Sequence, residues 1–218
     1  MKLLQVCLEG AISKKSAEKN FSHGMRPSGD MIPWTVAQQF QDNNFVALSG
    51  ARVVRIAVHP NYQNKGYGSR ALSLLEEYYK GMIPLTDDTI TNGAPAELNT
   101  VQDEKDLDLL KEKVKPRSDL PPLLYKLTER RAERVDWLGT SFGLTIELLR
   151  FWKRAGYVPV YLRQTENELT GEHSAILLRG LEREGEGQKE WIREFFIDFR
   201  RRFISLLAYQ FRTFKPGS

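Results

Sequence analysis

The sequence has a single cysteine, Cys7, in 218 residues, which excludes a disulfide framework and a cysteine-rich zinc site. Its three histidines, His23, His59 and His173, are too scattered for a metal-ligand spacing, so no metal is expected. No apolar run approaches the roughly 18 residues that a membrane span needs. The opening Met-Lys-Leu-Leu-Gln-Val-Cys-Leu-Glu is too short in apolar residues for a signal peptide. Internal repeats, coiled-coil heptads and a Walker loop (Gly-x-x-x-x-Gly-Lys-Ser/Thr) are also missing. A soluble chain of a reducing compartment, without membrane contact, is the expectation. Charge of one sign is scarcely in excess: 32 Lys and Arg against 28 Asp and Glu leave +4. That balance favours anionic ligands, a phosphate-bearing cofactor or RNA, without choosing between them.

What is present suits one domain with an appendage, or two small domains. Leu3–Leu8 reads as a strand, and a chain that opens inside a sheet is expected to belong to something larger. The polar, aperiodic stretch Ala11–Asp30 reads as a long loop, and Ile32–Phe40 as a short helix entered by Pro33. Ala51–Val58 is a β-branched strand stopped by Pro60. From Gly66 to Lys80 the period becomes helical, with Tyr67, Ala71, Leu74, Leu75 and Tyr78 on one stripe and Gly81 at the end.

Residues 81–134 break the pattern with five prolines and many charges, and read as an insertion whose one weakly helical piece is Glu104–Val114. Val135–Leu138 reads as a short strand ending at Gly139. Thr145 is placed to cap a helix running to Ala155, with Leu144 and Leu149 as a hydrophobic staple and Gly156 as the stop. Tyr157–Leu162 and Ser174–Leu178 read as two more strands. Residues 1–180 thus form one domain, and 181–218 a charged linker followed by a long helix from Glu190 to about Phe214.

The segment with the most chemistry is strand, loop, helix: Ala51–Val58, His59–Gly66, Tyr67–Lys80. Gly66 and Gly68 free backbone N–H groups at a helix N-terminus for close approach to an anion, and the helix dipole adds to the attraction. Lys65 or Arg70 can supply a formal charge, and pyrophosphate is the natural guest. Gly66-Tyr67-Gly68-Ser69-Arg70-Ala71 fits the dinucleotide pattern Gly-x-Gly-x-x-Gly/Ala. That fold, however, places its first glycine almost directly after the strand and an acidic residue about 20 residues on. Here the loop is long, and no second strand follows before the insertion.

Gln63-x-x-Gly66-x-Gly68 instead resembles the Gln/Arg-x-x-Gly-x-Gly/Ala signature of GNAT acetyltransferases. Phe151-Trp152-Lys153-Arg154-Ala155-Gly156-Tyr157 resembles the later helix end of that family, followed by a strand as expected. The resemblance implies an α/β (α+β) fold with a mixed, mostly antiparallel sheet flanked by helices, here with a C-terminal helical extension. It implies acetyl-CoA as the cofactor, its pyrophosphate on the loop amides and its pantetheine arm alongside the preceding strand.

Longer strings narrow the family. Val54–Pro60, Gly66–Leu72, Leu138-Gly139, Phe151–Gly156, Pro159–Gln164, Leu169–Ser174, Asp198–Phe203 and Tyr209–Phe211 resemble the eukaryotic RNA cytidine acetyltransferases over nearly the whole chain. This resemblance implies acetylation of N4 of cytidine in tRNA and small-subunit (18S) rRNA, in the nucleus and its nucleolus. It implies contacts to acetyl-CoA from Ile56, Ala57 and Val58, from Gln63, Asn64, Lys65, Gly66, Tyr67, Gly68 and Ser69, and from Arg154. RNA, adaptor proteins and the family's other domains are the implied partners.

Family members are much larger, with an ATP-using helicase-like module before this region and an RNA-binding region after it. This chain has no ATP motif, and the upstream histidine implicated in the family's activity has no counterpart in it. Glu172 or His173 can serve as a general base by position, but a structural role explains both at least as well, so no catalytic residue is assigned. Two other functions stay open: a non-catalytic, truncated binding or assembly module, and a GNAT enzyme acetylating a protein or small-molecule amine.

Overall fold

The computed structural model describes residues 2–23, 28–84, 124, 126, 128, 130–182, 191–212 and 214. Most of the insertion, including Glu104–Val114, and most of the linker lie outside the described residues.

Among the described residues, five strands form one sheet: β1 (Lys2–Gly10), β2 (Ser49–Val58), β3 (Trp137–Gly143), β4 (Val158–Leu162) and β5 (Ser174–Gly180). Their order is β1-β2-β3-β5-β4. Only β2 and β3 run parallel; the other three pairings are antiparallel. This is the mixed, mostly antiparallel sheet expected from the sequence. Five α-helices accompany it: α1 (Lys14–Ser22), α2 (Met31–Phe40), α3 (Tyr67–Tyr79), α4 (Ile146–Arg154) and α5 (Trp191–Leu206).

Both faces of the sheet are covered, and the alternation along β3 and β5 shows how. Leu138 and Leu177 join Ala51 and Val53 in packing against Leu72 of α3 and Trp152 of α4. Trp137, Ile176 and Leu178 point the other way, to Ile32 and Val36 of α2, Phe45, and Trp191 and Phe195 of α5. Gly50 of β2 lies directly beneath the Trp137 indole, where any Cβ would collide with the ring.

Helix α2 begins without a cap of its own, because Asp30 is left-handed and makes no side-chain cap bond. Glu9, buried on β1, takes over: its Oε2 accepts from Ile32 N–H at 2.9 Å, and its Oε1 pairs with Arg52 Nε at 2.5 Å. One strand carboxylate therefore ties α2 to both β1 and β2 while both of its oxygens are satisfied.

Three local expectations need correction. Within Ala11–Asp30, read as a loop, residues 14–22 are helical. Ser13 caps this helix, accepting from Ser16 N–H at 3.3 Å, and Ala17 docks it against Trp34, Ala37 and Val46. Phe21 adds an edge-on contact to Trp34 at 5.2 Å, and a helix held by only Ala17 and Phe21 has no apolar stripe to read. Strand β3 starts two residues later than expected and runs through Gly139 to Gly143, because pairing along its whole length with β5 outweighs the poor strand propensity of Gly139, Ser141 and Gly143. The last helix ends at Leu206 rather than near Phe214. Tight turns there bring Phe211 back, almost fully buried, against Phe203 and His173 with ring centroids 5.6 and 5.1 Å away.

The expected cap of α4 is present, with Thr145 Oγ1 accepting from Leu148 N–H at 3.3 Å. Just beyond α4, the Tyr157 hydroxyl is buried with no hydrogen-bond partner among the described residues. Burial pushes its pKa up, with Arg179 opposing and Glu76 reinforcing the shift. An acid whose folded pKa is raised stabilises the fold fully only below its unfolded value, near 10, and loses that contribution as pH climbs toward the folded value. Tyr157→Phe is therefore expected to leave stability at pH 7 unchanged or raise it by up to about 1 kcal/mol. It should also lessen the alkaline destabilisation above pH 10. Thermal melts of both proteins at pH 7 and pH 11 measure both effects.

Candidate active site

The parallel pair β2–β3 is joined over only part of its length. Gly50 through Val53 pair with Trp137 through Thr140, and there the pairing stops. Beyond it β2 continues through Val54–Val58, still paired with β1 on its other side, and β3 continues through Ser141–Gly143, still paired with β5. The two strands thus diverge toward their C-terminal ends and leave a cleft whose walls are open backbone edges. Burial along β2 falls away at the same point. Residues 50, 51 and 53 are buried, whereas Val54 is 43% exposed, Ala57 is exposed and Ile56 and Val58 are half-buried. An apolar strand end with an unpaired edge suits an extended partner that adds to the sheet.

At the end of β2 the chain turns through His59–Gly66 into α3. Gln63 Nε2 donates back to Val58 O at 3.4 Å, and Lys65 Nζ donates to Asn61 O at 3.2 Å while lying 5.3 Å from the Tyr62 ring centroid. Asn64 and Gly66 are left-handed, at φ +59° and +80°. These two left-handed residues turn the chain sharply into α3. Arg70 N–H bonds to Gly66 O, but the N–H groups of Asn64, Lys65, Gly66, Gly68 and Ser69 find no backbone or side-chain acceptor among the described residues. Unpaired donors at the N-terminus of a 13-residue helix form an anion site. Gly68 is needed for a second reason: a Cβ there would lie 3.3 Å from Phe151 of α4 and 3.9 Å from Ile56, so its absence lets α3 begin close to the cleft wall.

The structure therefore gathers Ile56, Ala57, Val58 and Gln63 through Ser69 at the end of one strand. Arg154 comes from a different element. It is exposed at the last residue of α4, one turn beyond the Phe151 that borders Gly68, and its side chain makes no hydrogen bond or ion pair among the described residues.

Geometry also separates the two acid–base candidates at the start of β5. His173 is buried. Its Nδ1 lies 2.9 Å from Arg163 O, an acceptor only, so this nitrogen carries the proton, and its Nε2 faces Glu166 Oε1 at 3.6 Å. With Phe211 and Phe214 packed on the ring, it braces the loop between β4 and β5. The half-buried Glu172 carboxylate instead lies over Gly143, in the space a Cβ would occupy. Gly143 ends the unpaired part of β3, on the same face as Trp137, which is the α2/α5 face. A carboxylate thus stands at the mouth of the cleft on the face opposite α3 and α4. Nothing in the residue string alone pointed to Gly143 as the position that makes room for it.

The family described as GNAT acetyltransferase 2 matches residues 1–182. The chain belongs to this family. Among the proteins it is similar to, RNA cytidine acetyltransferase of Homo sapiens is 58% identical over 99% of this chain. That of Achlya ambisexualis is 54% identical over 96%, and that of Saccharomyces cerevisiae 46% identical over 97%. The chain spans about a fifth of the length of the human and yeast proteins (21% and 20%) and 57% of the Achlya one. The family match covers the sheet, the diverging strands and the amide cluster together, and ends where β5 has just closed.

Proposed function

We propose that this chain is the acetyl-CoA-binding part of an enzyme that acetylates N4 of cytidine in RNA, with tRNA and 18S rRNA as its substrates and the nucleolus as its place of work. The observation that carries this reading is the conjunction of the β2–β3 cleft with the unpaired amides at the end of β2. The cleft suits a long, flexible, amide-containing arm, and the amides suit a pyrophosphate. Coenzyme A has both, in that order. When bound, acetyl-CoA would supply a thioester: N4 would gain the acetyl group, the C–S bond would break, and coenzyme A would leave as the thiol, its sulfur taking up a proton to balance the one N4 loses.

The chain's residues have three tasks. The Gln63–Ser69 segment holds phosphate through main-chain N–H groups, with Lys65 adding charge. The edge of Ile56–Val58 aligns the arm as a neighbouring strand would. The third task is a proton: N4 must lose one on forming the amide, and its lone pair is delocalised into the ring, so positioning and proton removal dominate. Glu172, at the cleft mouth on the face away from α3, is placed to accept it.

Calorimetry of the folded 218-residue chain with acetyl-CoA tests the first two tasks, and an absence of binding would refute the reading. Incubating the protein with labelled acetyl-CoA alongside RNA, a lysine peptide and a polyamine tests the acceptor; label on the amines and none on cytidine would replace cytidine as substrate. Gly66→Val is expected to weaken acetyl-CoA binding about tenfold. A branched residue at φ +80° costs roughly 1–2 kcal/mol, and 1.4 kcal/mol is a factor of ten. A Cβ at this position meets nothing within 4 Å, so the fold itself should survive, as a thermal melt will show.

A further inference from the structure

A second concavity, of about 520 Å³, opens between the end of α2, the edge strand β4 and α5. It is separate from the β2–β3 cleft but lies at the same end of the sheet. Strands β3 and β4 both run antiparallel to the β5 between them, so their C-terminal ends are neighbours, two strand spacings or roughly 10 Å apart. It also lies on the α2/α5 face, the face on which Glu172 covers Gly143.

Its lining combines three chemistries. Phe199 and Phe203 on α5 are half-buried and nearly parallel, 5.8 Å apart at 15°, and form an aromatic wall. Arg202 is already engaged, bound to Asp198 at 2.7 Å and Gln39 O at 2.9 Å with its guanidinium over the Phe40 ring, and serves as a fixed floor. Arg163 is different. Its backbone is pinned, with N–H donating to Ser174 O at 2.8 Å and the carbonyl accepting from His173 at 2.9 Å. Its Nε donates to Thr165 Oγ1 at 2.9 Å, yet no carboxylate reaches the exposed guanidinium among the described residues. Beside it, the exposed amide of Gln164 has both a donor and an acceptor to offer. No acidic side chain lines the pocket among the described residues.

An aromatic wall, an uncompensated guanidinium and an exposed amide match a base, a phosphate and a base edge. We propose that this pocket seats the nucleotide adjacent to the acceptor cytidine, with its base stacked on Phe199, which Phe203 backs from the other side, and its phosphate on Arg163. The inference rests on RNA being the acceptor, and it adds how the strand is held. The flanking nucleotide lies on the α2/α5 face, so the acceptor approaches the cleft from the side opposite the amide cluster of α3. His173 contributes by fixing the Arg163 main chain, so its burial serves the RNA seat.

Fluorescence anisotropy with a labelled single-stranded UUCUU pentanucleotide tests the inference, with calorimetry on acetyl-CoA as a parallel measurement. Arg163→Glu is expected to weaken pentanucleotide binding tenfold or more and to flatten its salt dependence by about one ion. Phe199→Ala should weaken it roughly 5- to 100-fold. Acetyl-CoA affinity should be unchanged in both variants. Arg163 is exposed, so its variant keeps the test open if Phe199→Ala fails to fold. If the wild type binds the pentanucleotide and both variants bind it equally well, the pocket is not the seat and RNA remains the acceptor. If the wild type binds acetyl-CoA but no RNA, the acceptor reading falls and the seat with it. If an acidic phosphopeptide binds in an Arg163-dependent way and the pentanucleotide does not, the pocket takes peptide and the inference is overturned.

Discussion

Glu172→Gln is expected to leave acetyl-CoA binding intact and to slow acetyl transfer to cytidine by about two to four orders of magnitude, the usual contribution of a positioned general base. The substitution keeps size and shape, so the side chain can still occupy the space over Gly143. What it removes is the capacity to take a proton. Glu172→Asp should recover part of the rate, since the carboxylate is retained but drawn back. Nucleoside mass spectrometry of RNA incubated with the protein and acetyl-CoA measures the rate, and calorimetry the binding. A Glu172→Gln protein that transfers acetyl at the unaltered rate would remove Glu172 from the mechanism. Histidine 173 makes the complementary case: its Nδ1 is committed to Arg163 O and its ring is buried, so replacing it should disturb the β4–β5 loop before it touches the chemistry.

Trp137→Ala is expected to cost about 3–5 kcal/mol of stability, the range for deleting a large buried aromatic side chain. Trp137 is fully buried, stacks on Phe45 at 5.8 Å and 24°, and covers Gly50 so closely that no other residue type fits beneath it. Relaxation cannot easily refill the void, because Gly50 has no side chain to move in. The loss also strikes the cleft: Gly50 and Trp137 are the first partners of the parallel pairing that holds the closed end of β2 and β3 together. Urea denaturation gives the stability change. A loss below about 1 kcal/mol would mean that the indole is dispensable to the core.

Much of this arrangement was legible in the residues, and the illegible parts share a physical reason. The β-branched run of β2, the stripe of α3 and the Thr145 cap of α4 are local signals, and each element appears within two residues of its expected place. The position of the unpaired amides was legible too, because Gly66 and Gly68 mark where the backbone can stay open at the start of α3. Helix α1 was not, since only a cap, one buried alanine and Phe21 hold it, too few apolar positions to show a period. The divergence of β2 from β3 was also hidden. It depends on which partner each strand keeps on its far side, a long-range fact that neither strand's residues carry. Glu172 escaped assignment for the same reason: its placement depends on Gly143, 29 positions earlier.

The half-open pairing of β2 and β3 also makes the sheet incomplete on its own. Beyond Val53 and Thr140 the facing backbone edges of β2 and β3 are not paired with each other, and an arm bound there would act as the missing rung of the ladder. Cofactor and protein would then share one cooperative unit. Resistance to heat should rise with ligand concentration by mass action, and a chain kept without ligand would offer those edges to any other extended segment. What serves as a seat in the bound protein is, in the empty one, its point of greatest vulnerability to misassembly.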